Sequence, residues 1–73
     1  MNKVEWISIK DRLPEEGIRV LIIDKICGVP IMHTAYLDAG WWRDSYWDRP
    51  IKLGPNREVT HWTELPELPM WNS

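Results

Sequence analysis

The chain has no phenylalanine, one cysteine, four glycines and no unbroken apolar run longer than the four residues 20–23. Each shortage excludes something. A lone cysteine rules out an internal disulfide and fits a reducing compartment better than a secreted setting. Runs this short cannot span a membrane, which needs about 20 apolar residues. Residues 1–12 contain no signal-peptide core. The expectation is a cytoplasmic protein without membrane association. Nor is there a surplus of basic charge: nine Lys and Arg stand against eleven Asp and Glu, a net charge of −2. Duplex DNA binding draws most of its affinity from phosphate contacts, so this balance argues against it. Apolar spacing of the i, i+3, i+4, i+7 kind is missing as well, which leaves room for a single helical turn at most.

Tryptophan is what the chain has in excess. Six tryptophans and two tyrosines occur in 73 residues. A domain of this size buries only about 60–65% of its unfolded surface, and each aromatic occupies roughly 150–250 Å². The six indoles therefore cannot all be central, and some are expected at a surface, a groove or a contact between copies. Self-association into a homo-oligomer is the corresponding expectation.

The alternation of residues predicts mostly β structure. Residues 4–10 read as a first short strand and residues 11–17, with Pro14 and Gly17, as a turn. Residues 19–24 are β-branched and apolar on both faces, the pattern of a central strand. Cys27-Gly28 marks a turn, and residues 29–37 form a third strand with Pro30 confined to its start or to an edge. Asp38-Ala39-Gly40 reads as a hairpin turn and residues 41–43 as the returning strand. Residues 44–57 read as a long loop and residues 58–62 as the last strand. The whole is expected to be one domain over residues 1–73: a small antiparallel sheet or open barrel of four to five strands. An extended, proline-containing C-terminal tail over residues 63–73 is expected to pack on it as a lid. Polyproline II geometry places Leu65, Leu68 and Trp71 in one stripe. A P-x-x-P ligand at Pro66-Glu67-Leu68-Pro69 is the sharper alternative for this tail.

Trp6-Ile7-Ser8, Asp11-Arg12-Leu13-Pro14, Gly17 and Val20-Leu21, then Trp41-Trp42 and Val59-Thr60-His61-Trp62-Thr63-Glu64-Leu65-Pro66, resemble a family of short phage and prophage proteins. That family is domain of unknown function 551. The resemblance spans nearly the whole chain, specific at both ends and loose over residues 27–37 and 44–57. Glu64 and Leu68 stand where the family's ending has prolines. The resemblance implies a phage or prophage accessory protein and carries no catalytic residues with it.

Reactive chemistry finds little support. Cys27, His33 and His61 are the only thiol and imidazoles, with no paired ligand spacing, so neither a metal nor a cofactor is expected. His33 reads as a strand residue and His61 as a satisfied, inward-facing one. Ser45 with a histidine and an aspartate lacks a nucleophile elbow or an oxyanion loop. Glu15-Glu16 on a turn stays ionised and solvated. No phosphate-binding glycine loop is present. A non-enzymatic protein is expected.

The remaining stretch, WWRDSYWDRPIKLGPNR, interleaves Trp41, Trp42, Tyr46 and Trp47 with Arg43, Arg49, Lys52 and Arg57. These eight are the candidate binding residues. Trp, Tyr and Arg together make protein–protein hot spots, while aromatic faces with guanidinium forks also suit nucleotides. The bland alternative places one Trp of the 41–42 pair in the core, with Arg43–Asp44 and Asp48–Arg49 as solvated ion pairs. Three functional expectations follow. The first is a binding protein that inhibits or redirects a host protein, in antiviral defence by analogy with the phage family. The second is a sponge for a nucleotide second messenger held between subunits. The third is an adaptor in a phage assembly.

Overall fold

The computed structural model describes residues 5–65. Six strands form one antiparallel sheet: β1 (Ile7–Ser8), β2 (Val20–Ile26), β3 (Val29–Asp38), β4 (Trp41–Asp44), β5 (Arg49–Pro50) and β6 (Arg57–Glu64). Their order is β1-β6-β2-β3-β4-β5, an open sheet with β2 in its interior as the sequence predicts. No helix occurs among the described residues, so none is long and apolar enough to cross a membrane.

Differences from expectation concern extent. The first strand shortens to two residues, because the backbone turns at once, with Asp11 and Arg12 N–H groups donating to the Ser8 carbonyl at 2.9 and 3.3 Å. The segment expected as a long loop is organised. It holds β5, the strand that raises the count to six, and a tight turn in which Gly54 and Arg57 exchange backbone bonds at 3.0 and 3.2 Å. Residues 63 and 64, expected in the tail, extend β6. The lid and the P-x-x-P reading of residues 66–73 lie outside the described residues.

Two hairpins set the register. Cys27-Gly28 joins β2 to β3 and Ala39-Gly40 joins β3 to β4. In both turns the two linking residues have positive φ, 50° and 82° in the first, 53° and 85° in the second. That is the mirror-image turn whose twist matches the flanking strands, and glycine at the second position takes it freely. Ala39 takes it against its side-chain preference. The Glu16 carboxylate compensates by accepting the Ala39 and Gly40 N–H groups at 3.0 and 2.7 Å. Glu16 thus anchors this turn while remaining exposed, as the sequence predicts.

The core lies on one face of the sheet. Strand alternation brings Val20 and Ile22 of β2, Ala35 and Leu37 of β3, Trp42 of β4, and Val59 and Trp62 of β6 to that face, all buried. A bulge in β6 between its pairings to Ile23 and Asp24 lets Val59 and Trp62, three apart, share it. Residues 9–19 cross over this face. Ile9 N–H donates to the Thr60 carbonyl, Trp62 Nε1 to the Arg12 carbonyl and Gly17 N–H to the Leu37 carbonyl, at 3.1, 2.9 and 2.9 Å. The Arg12 guanidinium also stacks over the Trp62 ring, 5.3 Å from its centroid. Ile51 closes the far side.

The pair Trp41-Trp42 tests this arrangement. Trp42→Ala should destabilise the protein by about 3–5 kcal/mol, whereas Trp41→Ala should stay within roughly 0.5 kcal/mol. Equilibrium urea unfolding of both variants measures the difference.

Candidate functional site

The β4–β5 hairpin carries the exposed aromatics. Asp44 ends β4, and its Oδ1 accepts the Tyr46 and Trp47 N–H groups at 2.8 and 3.1 Å. This side chain closes the four-residue turn 45–48, in which Asp48 takes the left-handed conformation at φ 55°. Tyr46 and Trp47 stand out on the turn, 79% and 63% exposed, with their rings edge to face at 4.7 Å. Trp41, 73% exposed, lies on the face opposite Trp42. The sheet faces thus divide the 41–42 pair, one indole in and one out.

On the far side of the turn Arg49 lies over Trp47, 5.5 Å from the ring centroid. Trp47, Arg49, Lys52 and Arg57 line one groove of about 290 Å³ with Asp44, Pro50 and Ile51. Trp41 and Arg43 line a second, more apolar groove with Asp38, Ala39 and Pro50. Pro50 borders both.

Of the eight predicted binding residues, the fold therefore gathers four in one groove and two in its neighbour, with Tyr46 at the turn. Trp42 is the correction: it is 6% exposed and belongs to the core, so it offers no surface to a partner. The expected ion pairs also differ. Arg43 bonds the Tyr36 hydroxyl at 3.2 Å and the Asp48 carbonyl at 2.7 Å, with the Asp48 carboxylate 3.6 Å away. Tyr36 in turn donates to Asp48. That bond to a carboxylate holds the Tyr36 proton and raises its pKa, and the Tyr36 contact likewise raises that of Arg43. Arg43 is committed to bracing the turn.

Arg57 is held from behind by a group the residue pattern hides. Asp24 is fully buried in β2. Its carboxylate accepts from Arg57 Nε at 3.2 Å, from Arg57 Nη2 at 2.7 Å, and from His33 Nε2 at 2.9 Å. Burial pushes the Asp24 carboxyl up, but the hydrogen bonds and charges of Arg57 and His33 outweigh it, and the net pKa lies below the ordinary 3.8. An ionised carboxylate only accepts, so the His33 nitrogen facing it carries the proton. The other nitrogen, Nδ1, is buried without a hydrogen-bond partner, 3.6 Å from Asp44 Oδ2. Thr34 and Ser45 hydroxyls, 2.5 Å apart, tie β3 to the same turn. Asp24 thus links β2, β3 and β6, and His33 extends the chain of contacts to Asp44 and the aromatic turn.

The signal for Asp24 is present in the sequence as alternation: Val20, Ile22 and Asp24 share one face, so a buried apolar row runs into a carboxylate. His61, expected inward, pairs across strands with Ile23 and lies on the face opposite the core, its Nδ1 3.0 Å from the Thr60 hydroxyl. Among the described residues no group of three His, Cys, Asp or Glu side chains is arranged to hold a metal ion.

Sequence comparison covers this whole arrangement, since a protein-family match runs over residues 5–70. The chain belongs to that family, described as protein of unknown function (DUF551). The resemblance seen at both ends therefore extends through the loose interior, the hairpin included. A relative, an uncharacterized 7.8 kDa protein in the ral-gp17 intergenic region of Salmonella phage P22, is 34% identical over 70 residues. The match covers 90% of this chain and 97% of the phage protein. No solved structure matches.

The Asp24 cluster has a pH signature. A lowered folded-state pKa contributes stability that is complete above the unfolded value, about 3.9, and lost as pH falls through the lower folded value. Urea midpoints measured from about pH 6 down to pH 2 should therefore fall below about pH 4, and Asp24→Asn should flatten part of that fall. At neutral pH Asp24→Ala should cost about 3 kcal/mol, the lower end for a broken buried pair, because Arg57 keeps water access.

Proposed function

We propose that this protein is a non-enzymatic binding protein whose β4–β5 hairpin engages a protein partner. The observation that carries the reading is the outward display of Tyr46 and Trp47 on a turn that Asp44 closes through their N–H groups, with Trp41 exposed on the adjoining strand β4. Exposed indoles have an apolar surface that water solvates poorly, and fixing them in advance removes the ordering cost from binding. Arg49 and Lys52 beside them supply the charged surround of a hot spot. The phage relative suggests a bacterial host protein as the partner, met in the host cytoplasm and inhibited or redirected, with antiviral defence the process most exposed to such interference. Trp47→Ala and Arg49→Ala should each weaken a purified host partner about 30-fold, or 2 kcal/mol, with little change in unfolding midpoint. Titration calorimetry with the protein captured from host lysate reads both. A partner that binds these variants as tightly as the wild type would remove the reading.

A second reading has its own observation. The groove formed by Trp47, Arg49, Lys52 and Arg57 combines an aromatic wall with three cations. That is the chemistry of a base stacked beside its phosphates. At about 290 Å³ the groove is small for a whole nucleotide, so a second subunit would have to complete the site. A panel of cyclic nucleotides decides it: a bound ligand raises the melting temperature as its concentration rises, and a flat response across the panel rejects it.

A further inference from the structure

Between residues 41 and 57 stand four cations, Arg43, Arg49, Lys52 and Arg57. The fold uses them in two ways. Arg43 bonds Tyr36 and the Asp48 carbonyl, and Arg57 gives its Nε and Nη2 to the buried Asp24. Both are committed to the fold itself. Among the described residues, neither Arg49 nor Lys52 joins an ion pair, and both are exposed. Arg49 lies over the Trp47 ring. A ring attracts the charge but accepts no conventional hydrogen bond, so that contact leaves the guanidinium donors open. Arg49 and Lys52 line the same groove, to which Trp47, Pro50 and Ile51 give an apolar wall. Among the described residues the carboxylate lining it is Asp44, whose Oδ1 accepts the turn amides and whose Oδ2 faces His33. Arg49, Lys52 and Arg57 against Asp44 and Asp24 leave one positive charge in surplus there. The whole chain carries −2, so the rest of it carries −3, that is −2 less +1.

We infer that this groove takes an acidic segment of a protein partner, with a carboxylate at Arg49 and Lys52 and a neighbouring apolar side chain against Trp47. The inference rests on the β4–β5 hairpin being a binding surface and names what that surface recognises. A carboxylate is the matching group: it accepts the guanidinium fork bidentately and the Lys52 ammonium as a point charge. Charge also sets the direction of approach. An acidic segment is repelled by the remainder of the chain and drawn to this end, which selects partner and orientation more than it adds affinity. Charge pairs this exposed contribute little by themselves, so the Trp47 contact carries most of the binding. A nucleotide suits the groove less well. It would need a second subunit to complete the site, and a base on the Arg49 face of Trp47 would have to displace the guanidinium. A carboxylate with an apolar neighbour needs neither.

A random peptide library displayed on particles and panned against the purified full chain reads this preference without a known partner. Peptides held by the wild type and lost on Trp47→Ala are those that engage the hairpin. Among them Asp and Glu should be enriched over the input library, next to apolar residues. A recovered peptide should bind Lys52→Gln about two- to fivefold more weakly, the range for an exposed charge pair, and Lys52→Arg should restore it. The double variant Arg49→Glu with Lys52→Glu, its fold checked by circular dichroism, should instead select peptides rich in Lys and Arg that still depend on Trp47. Trp47-dependent peptides without acidic bias, or of unchanged composition on the charge-reversed variant, overturn the acidic assignment and leave the hairpin as a binding surface. Recovery of no Trp47-dependent peptide overturns both. Adenosine monophosphate binding the wild type more tightly than any recovered peptide, and weakened by Trp47→Ala, gives the groove to nucleotides and overturns the inference as well.

Discussion

A carboxylate shut away from water sits at the end of the apolar row of the interior strand, and the neighbouring strands are organised to satisfy it. Asp24 receives three side-chain hydrogen bonds from Arg57, two of them through Nε, and one from His33. An unpaired buried charge would cost several kcal/mol, so β6 and β3 must present those two donors whenever β2 is in place. This makes Asp24 a register device: a slip of one residue in either neighbour would turn the donor to the wrong face and strand the charge. That penalty adds to the loss of apolar burial that the same slip would bring.

The same cluster shapes the exposed surface. Arg57 reaches the groove of Trp47, Arg49 and Lys52 with its guanidinium already oriented, and His33 lies beside the Asp44 that closes the aromatic turn. Asp44 divides its oxygens between these tasks, Oδ1 to the turn amides and Oδ2 toward His33. Interior and surface are thus joined through one short chain of polar contacts. The aromatics on the turn before the two-residue edge strand are thereby tied to the interior.

The open sheet has a further consequence. Residues 9–19 and Ile51 cover the core face, but the strands end unevenly, and β3 outruns β4. An uneven edge in a closed barrel would be paired away. In an open sheet it stays available, and the chain places its least charged stretch there.

Much of the fold is legible in the sequence. Gly28 and Gly40 mark turns because only the mirror-image turn joins adjacent strands through two residues, and β-branched residues between 20 and 23 mark the interior strand. The tryptophan excess announces that some indoles lie outside the core, as Trp41 and Trp47 do. These features rest on local backbone geometry and composition, which neighbours along the chain determine. Other features depend on residues far apart: which member of Trp41-Trp42 is hidden, that Arg57 belongs to Asp24 33 positions away, and that residues 44–57 fold into a strand and two turns. Burial and ion pairing are properties of the assembled faces, and a face exists only once strands distant in sequence lie side by side.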